Sequence, residues 1–196
     1  MKLESVPVPV RYLAVALLFT ICGAWTATHL LTSGWWVFPD QIRKMAAVPF
    51  ALLCAILCIR TWRFICAVPL MVVVWYISAR AGDFVGFFLA DHIPFLPGCV
   101  GGFIGGFGLV LSLATCYGRL LSLKYLLRAA AVGTASALPF AFWTVAYAPL
   151  NSIHRDVFPL LVPAFAIWQA VVGTYLYAIC TKVNEKIPSE ESATAI

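Results

Sequence analysis

Long apolar segments, separated by short polar connections, constrain the fold of this 196-residue chain more than any other feature. The apolar fraction is 63% and the charged fraction is 11%, whereas soluble domains average roughly 45–50% and 25%. Several segments approach the roughly 20 residues that an α-helix needs to cross a bilayer. The sequence therefore predicts an all-α membrane protein, a single polytopic domain over residues 1–196.

Six transmembrane helices are predicted, and together they would form one bundle in the lipid bilayer. The second span is short, and Pro139 is expected to kink the fifth. A cleaved signal peptide is the alternative for the first span, although no clear cleavage site follows it. The predicted spans are residues 12–31, 46–59, 64–79, 99–117, 126–148 and 158–181, and a polar tail follows at residues 182–196.

The segment 80–97, between the third and fourth predicted spans, has an unusual composition. It combines four phenylalanines with charged residues and prolines. It is too polar for an ordinary span, yet exposing that many aromatic rings to water is unfavourable. Irregular backbone at membrane depth is tolerated where protein or water covers it. An interfacial or re-entrant segment is therefore predicted between the third and fourth helices.

A ladder of glycines follows this segment. On a helix its five members fall at i, i+3, i+4, i+7 and i+8, which places them on one smooth face. Such a face lets another helix backbone approach closely within a membrane. The small-residue start of the fifth span is the expected partner, and an interface with another chain is the alternative. The helix-packing residues are Gly98, Gly101, Gly102, Gly105 and Gly106.

The distribution of basic residues predicts the orientation of the chain. With six spans, nine of the 13 Lys and Arg residues fall beside the tails and the even-numbered connections, and four fall on the other side. Positive charge accumulates on the cytoplasmic side of membrane proteins. Both termini are therefore expected in the cytoplasm, with the plasma or inner membrane as the expected location.

The same orientation places all aspartates and histidines on the outer side. One interpretation is a solvated rim, since outer loops need polar residues. The other is that these residues converge on an outward-facing polar cavity, because ionisable groups at membrane depth usually serve a function. The candidate substrate-binding residues for a small-molecule ligand are Arg80, Asp83, Asp91, His92, Asn151 and His154.

The sequence contains none of several common catalytic motifs. It has no G-x-S-x-G, no H-E-x-x-H and no Walker loop. The seven cysteines lie mostly in apolar segments and are expected to be structural. The net charge of +5 is spread over the connections, which is typical of membrane proteins and not of nucleic-acid binding. No catalytic residue, metal site or cofactor is predicted.

Six short spans, cytoplasmic termini, small-residue packing faces and an outer polar mouth form a recognisable layout. It is similar to that of the substrate-binding subunits of energy-coupling-factor vitamin transporters. No family motif matches residue by residue, so the resemblance identifies no site. It favours a small transport or substrate-capture subunit, acting alone or with other membrane subunits. The alternatives are a non-catalytic assembly subunit of a larger membrane complex and a membrane enzyme acting at the outer leaflet.

Overall fold

The computed structural model describes residues 7–32, 39–59, 64–89, 92–93, 95–117, 122–140 and 161–186. These residues form helices and contain no strand, which confirms the prediction of an all-α chain for the described part. The helices are α1 (Val8–Thr32), α2 (Pro39–Cys58), α3 (Phe64–Leu89), α4 (Leu96–Ala114), α5 (Leu123–Ser136) and α6 (Leu161–Lys186).

Four of these helices are long and apolar enough to cross a membrane. The qualifying segments are Val8–Leu30, Ile65–Val85, Leu96–Ala114 and Val162–Val183. A shorter apolar helix covers Met45–Cys58 within α2. Helices of this length and composition indicate an integral membrane protein. That the chain crosses the bilayer six times stays a prediction.

Contacts at one end of the bundle join the start of α1 to α6, and the end of α4 to the end of α2. Tyr12 near the start of α1 meets Tyr177 of α6 edge-on, with ring centroids 5.7 Å apart. Tyr117, just after α4, donates a hydrogen bond of 2.7 Å to the carbonyl oxygen of Cys58 at the end of α2. We call this the tail end, because both chain termini lead from it.

Contacts at the opposite end join the last turns of odd-numbered helices to the first turns of even-numbered ones. The Thr26 hydroxyl of α1 donates to the Ala46 carbonyl of α2 at 3.4 Å. The Ser78 hydroxyl of α3 donates to the Gly101 carbonyl of α4. Consecutive helices therefore run antiparallel. We call this the mouth end, where α1, α3 and α5 finish and α2, α4 and α6 begin.

Helix α3 runs past residue 79, where the third span was predicted to stop, and ends at Leu89. Residues 80–89 contain no proline, so nothing in their backbone chemistry interrupts the helix. Gly82 packs against the start of α4, where an added Cβ atom would lie 3.1 Å from the Pro97 carbonyl oxygen. The structure therefore does not support a separate re-entrant segment, because charged residues alone do not end a helix.

Helix α5 ends at Ser136, and a turn at Ala137–Leu138 precedes Pro139. Proline lacks an amide hydrogen and its ring collides with the preceding helical turn, so the helix is interrupted here. The amide of Phe140 donates instead to the Ala137 carbonyl at 3.0 Å. The predicted distortion of the fifth helix is thus a break just before the proline, and residues 141–148 of that span lie outside the described residues.

Candidate functional site

Three of the predicted substrate-binding residues lie in the described part of the chain, at the mouth end. Arg80 and Asp83 occupy the last three turns of α3, and both side chains are exposed. His92 is also exposed, in the turn after α3, where its amide donates to the Leu89 carbonyl at 3.1 Å. The other predicted residues, Asp91, Asn151 and His154, lie outside the described residues.

One edge of the glycine ladder lies directly against α5. A Cβ atom added at Gly106 would collide with the carbonyl oxygen of Ala129, and one at Gly102 with the carbonyl oxygen of Gly133. A Cβ atom at Gly133 would in turn collide with the Gly102 carbonyl. Gly98 extends this contact toward the mouth end, because a Cβ atom there would lie 2.8 Å from the Ala137 carbonyl oxygen. The two helix backbones are in contact here, and only glycine leaves enough room.

The other edge of the ladder faces α3 and α6. A Cβ atom at Gly101 would lie 3.1 Å from the Ser78 carbonyl oxygen. One at Gly105 would lie 2.8 Å from the Trp168 ring and 3.0 Å from the Ser78 hydroxyl oxygen. The ladder therefore serves several neighbours within this chain: α4 packs mainly against α3 and α5, and the Trp168 side chain of α6 reaches Gly105.

A buried polar pair joins α1 to α6 in the mouth-end half of the bundle. The side-chain amide of Gln169 donates to the Thr26 hydroxyl oxygen at 3.1 Å, and both residues are fully buried. The carbonyl oxygen Oε1 of Gln169 has no hydrogen-bond partner among the described residues. An acceptor buried without a donor costs about 1–3 kcal/mol. The pair therefore offers an acceptor that the described chain leaves unused.

Sequence reasoning missed this pair, although a signal was present. Gln169 is the one amide side chain in the apolar segment 161–183. An amide inside a membrane span is as noteworthy as a charge, because lipid cannot satisfy its hydrogen bonds. Gln169 is neither ionisable nor in a connection, so it falls outside the residues predicted to bind a ligand. Thr26 gave no such signal, since threonine commonly bonds to its own helix.

Aromatic rings lie around the same half of α6. Phe165 precedes Gln169 by one helical turn and so shares its side of the helix. Its ring stacks on Trp75 of α3 at 6.0 Å and meets Phe140 edge-on at 5.0 Å. Trp168 contacts Phe50 of α2 at 5.8 Å. The buried amide and these aromatic side chains therefore lie around the same half of α6.

The remaining chemistry of the described residues is modest. All seven cysteines are free thiols, and those at positions 54, 58, 116 and 180 are buried. Within the described ranges no three His, Cys, Asp or Glu side chains are grouped so that they could hold a metal ion. Comparisons with protein families, with curated proteins and with solved structures found no match for this chain.

Proposed function

We propose that this chain is a small integral membrane subunit that captures a small molecule inside its helix bundle for transport. The proposal depends on the Gln169 carbonyl oxygen, which is buried beside Thr26 in the mouth-end half and has no hydrogen-bond partner in the part of the chain that the structure describes. Polar groups within membrane bundles are costly and often mark substrate pathways. A bound ligand with an N–H or O–H group would supply the missing donor.

The side chains present favour a particular class of ligand. Gln169 and Thr26 offer neutral hydrogen-bonding groups, and the rings of Phe165 and Trp168 offer apolar stacking surfaces. We therefore expect a planar, mostly apolar molecule with at least one hydrogen-bond donor. The exposed Arg80 and Asp83, at the same end of the bundle, would meet a charged or zwitterionic part of the ligand at the entrance.

The packing of the glycine ladder favours capture over the assembly alternative. A subunit that assembles through the ladder would present these glycines to a partner chain. In this bundle Gly102 and Gly106 are covered by α5, and Gly105 is covered by Trp168. The enzyme alternative would need a histidine beside a carboxylate, and of Asp91, His92, His154 and Asp156 the described residues include His92 alone.

Native mass spectrometry of gently solubilised protein tests the proposal. The wild-type protein is expected to retain a small molecule, and Gln169→Leu is expected to lose it because the acceptor is removed. The same substitution also removes the 3.1 Å hydrogen bond to Thr26, so it should cost no more than about 1 kcal/mol of stability, because the unsatisfied Oε1 acceptor is removed with it. Asp83→Ala is expected to weaken retention without abolishing it.

Ser136→Ala provides the matched control. Its buried hydroxyl donates to the Val132 carbonyl within its own helix at 2.8 Å, so the change removes a buried polar group from α5, which supplies none of Thr26, Phe165, Trp168 and Gln169. This variant should retain the ligand. Undiminished ligand in Gln169→Leu would contradict the proposal. A stoichiometric partner protein with no small molecule would favour the assembly alternative.

A further inference from the structure

The tail end of the bundle carries basic and tyrosine side chains between α5 and α6, helices that pack against each other. Lys124 and Arg128, both exposed, are four residues apart and so share a face of α5. Tyr175 of α6 lies within electrostatic reach of Arg128 and Tyr125. We call these four residues, Lys124, Tyr125, Arg128 and Tyr175, the α5–α6 basic cluster.

The positive charge of this cluster has no carboxylate counterpart on α4 or α5. The sequence contains no Asp or Glu between His92 and Arg155. Asp83 is exposed at the mouth end, on the far side of the bundle. Glu185 follows Tyr175 along α6, but at 1.5 Å per residue it lies about 15 Å further along the helix axis. Among the described residues the cluster thus has no carboxylate beside it, and its charge suits binding of an anion.

A hydrogen-bond donor accompanies the charges. The Tyr175 hydroxyl oxygen is buried and has no hydrogen-bond partner among the described residues. A phosphate group accepts several hydrogen bonds at once, and guanidinium and hydroxyl donors both match it. Two exposed cations and a nearby unused hydroxyl, on neighbouring membrane helices, offer the groups that bind an anionic lipid headgroup.

Apolar side chains lie directly beside the cluster. Leu123 and Leu127 are each one residue before a basic residue, and they are 66% and 52% exposed. In a bilayer these side chains would face acyl chains, while Lys124 and Arg128 reach toward the headgroups. A free phosphate ion would make no use of the leucines, whereas a phospholipid would contact both kinds of surface.

We propose that the α5–α6 basic cluster binds the phosphate headgroup of an anionic phospholipid in the leaflet at the tail end. The site lies at the opposite end of the bundle from Gln169 and does not depend on the capture of a small molecule. It would fix the depth of α5, which at 14 residues is the shortest helix in the described part.

Native mass spectrometry of the full chain, titrated with phosphatidylglycerol or phosphatidylcholine, tests this proposal. The wild-type protein is expected to bind one phosphatidylglycerol several-fold more tightly than phosphatidylcholine. Lys124→Gln and Arg128→Gln should each weaken the binding of phosphatidylglycerol about fivefold, which is the effect of one charge near an anionic lipid surface. Arg128→Lys should retain most of the preference, and Tyr175→Phe should weaken binding of phosphatidylglycerol.

Arg80→Gln is the matched control, because it removes one positive charge at the mouth end and should not alter the lipid preference. Each variant is first checked for a melting temperature equal to that of the wild type. If Arg128→Gln misfolds, the test depends on Lys124→Gln, whose side chain is exposed. Equal affinity for the two lipids, or an unchanged preference in Lys124→Gln, would overturn the proposal. Full displacement of the lipid by millimolar inorganic phosphate would assign the cluster to a soluble anion instead.

Discussion

Replacing Gly106 by alanine should force helices α4 and α5 apart. The added Cβ atom would collide with the Ala129 carbonyl oxygen and lie 3.3 Å from the Gly133 Cα atom. Ordinary contacts of a Cβ atom begin at 3.4 Å. Both obstacles belong to the α5 backbone, so no side-chain rotation can relieve them. The helices must separate, and the neighbouring contact between Gly102 and Gly133 must loosen as well.

Two opposing terms set the size of this effect. Alanine is favoured over glycine in a helix interior by about 1 kcal/mol. Overpacking that shifts backbone costs about 1–3 kcal/mol, and the upper value applies because backbone meets backbone. We therefore expect Gly106→Ala to lower the free energy of unfolding by about 2 kcal/mol. For a chain of this length that corresponds to a melting temperature lower by about 4–8 °C.

Gly101→Ala is the matched control on the same helix. Its Cβ atom would lie 3.1 Å from the Ser78 carbonyl oxygen and 3.8 Å from the next atom, the Gly82 Cα. A shift of a few tenths of an ångström accommodates it, and the helix preference for alanine offsets that cost. Its stability should lie within about 0.5 kcal/mol of the wild type.

Thermal unfolding in bicelles, followed by helical circular dichroism, measures both variants. If the α4 and α5 backbones touch at the ladder, Gly106→Ala should melt at a clearly lower temperature than Gly101→Ala. Equal melting temperatures for Gly106→Ala and Gly101→Ala, or a Gly106→Ala variant as stable as the wild type, would refute backbone contact between α4 and α5 at the ladder.

Two further predictions concern the tail end and the orientation. Tyr117→Phe removes the buried 2.7 Å hydrogen bond to the Cys58 carbonyl and should lower the free energy of unfolding by about 1 kcal/mol. Unfolding in dodecyl sulfate measures this change, and a variant as stable as the wild type would show that the hydrogen bond does not stabilise the fold. Fluorescent-protein fusions at residue 1 and at residue 196 should both fluoresce in the cytoplasm, as the positive-inside rule requires. Fluorescence from one terminus alone would exclude an even number of spans.

The class of fold follows from the sequence because lipid leaves a chain few choices. Backbone amides and carbonyls in a bilayer must be satisfied within their own segment, so apolar stretches of spanning length become helices. The break before Pro139 is equally local, since it depends on the missing amide of one residue. The spacing of the glycines likewise placed them along one side of α4, because the helical period is fixed.

The tertiary structure decided which surfaces meet. Packing divided the glycine ladder, so that Gly102 and Gly106 face α5 while Gly105 faces Trp168 of α6. It also brought Gln169 against Thr26, residues far apart in the chain, and left the Gln169 amide oxygen without a donor within the described helices. Helical period and apolarity are properties of neighbouring residues. The approach of one helix to another depends on how all the side chains of the bundle fit together.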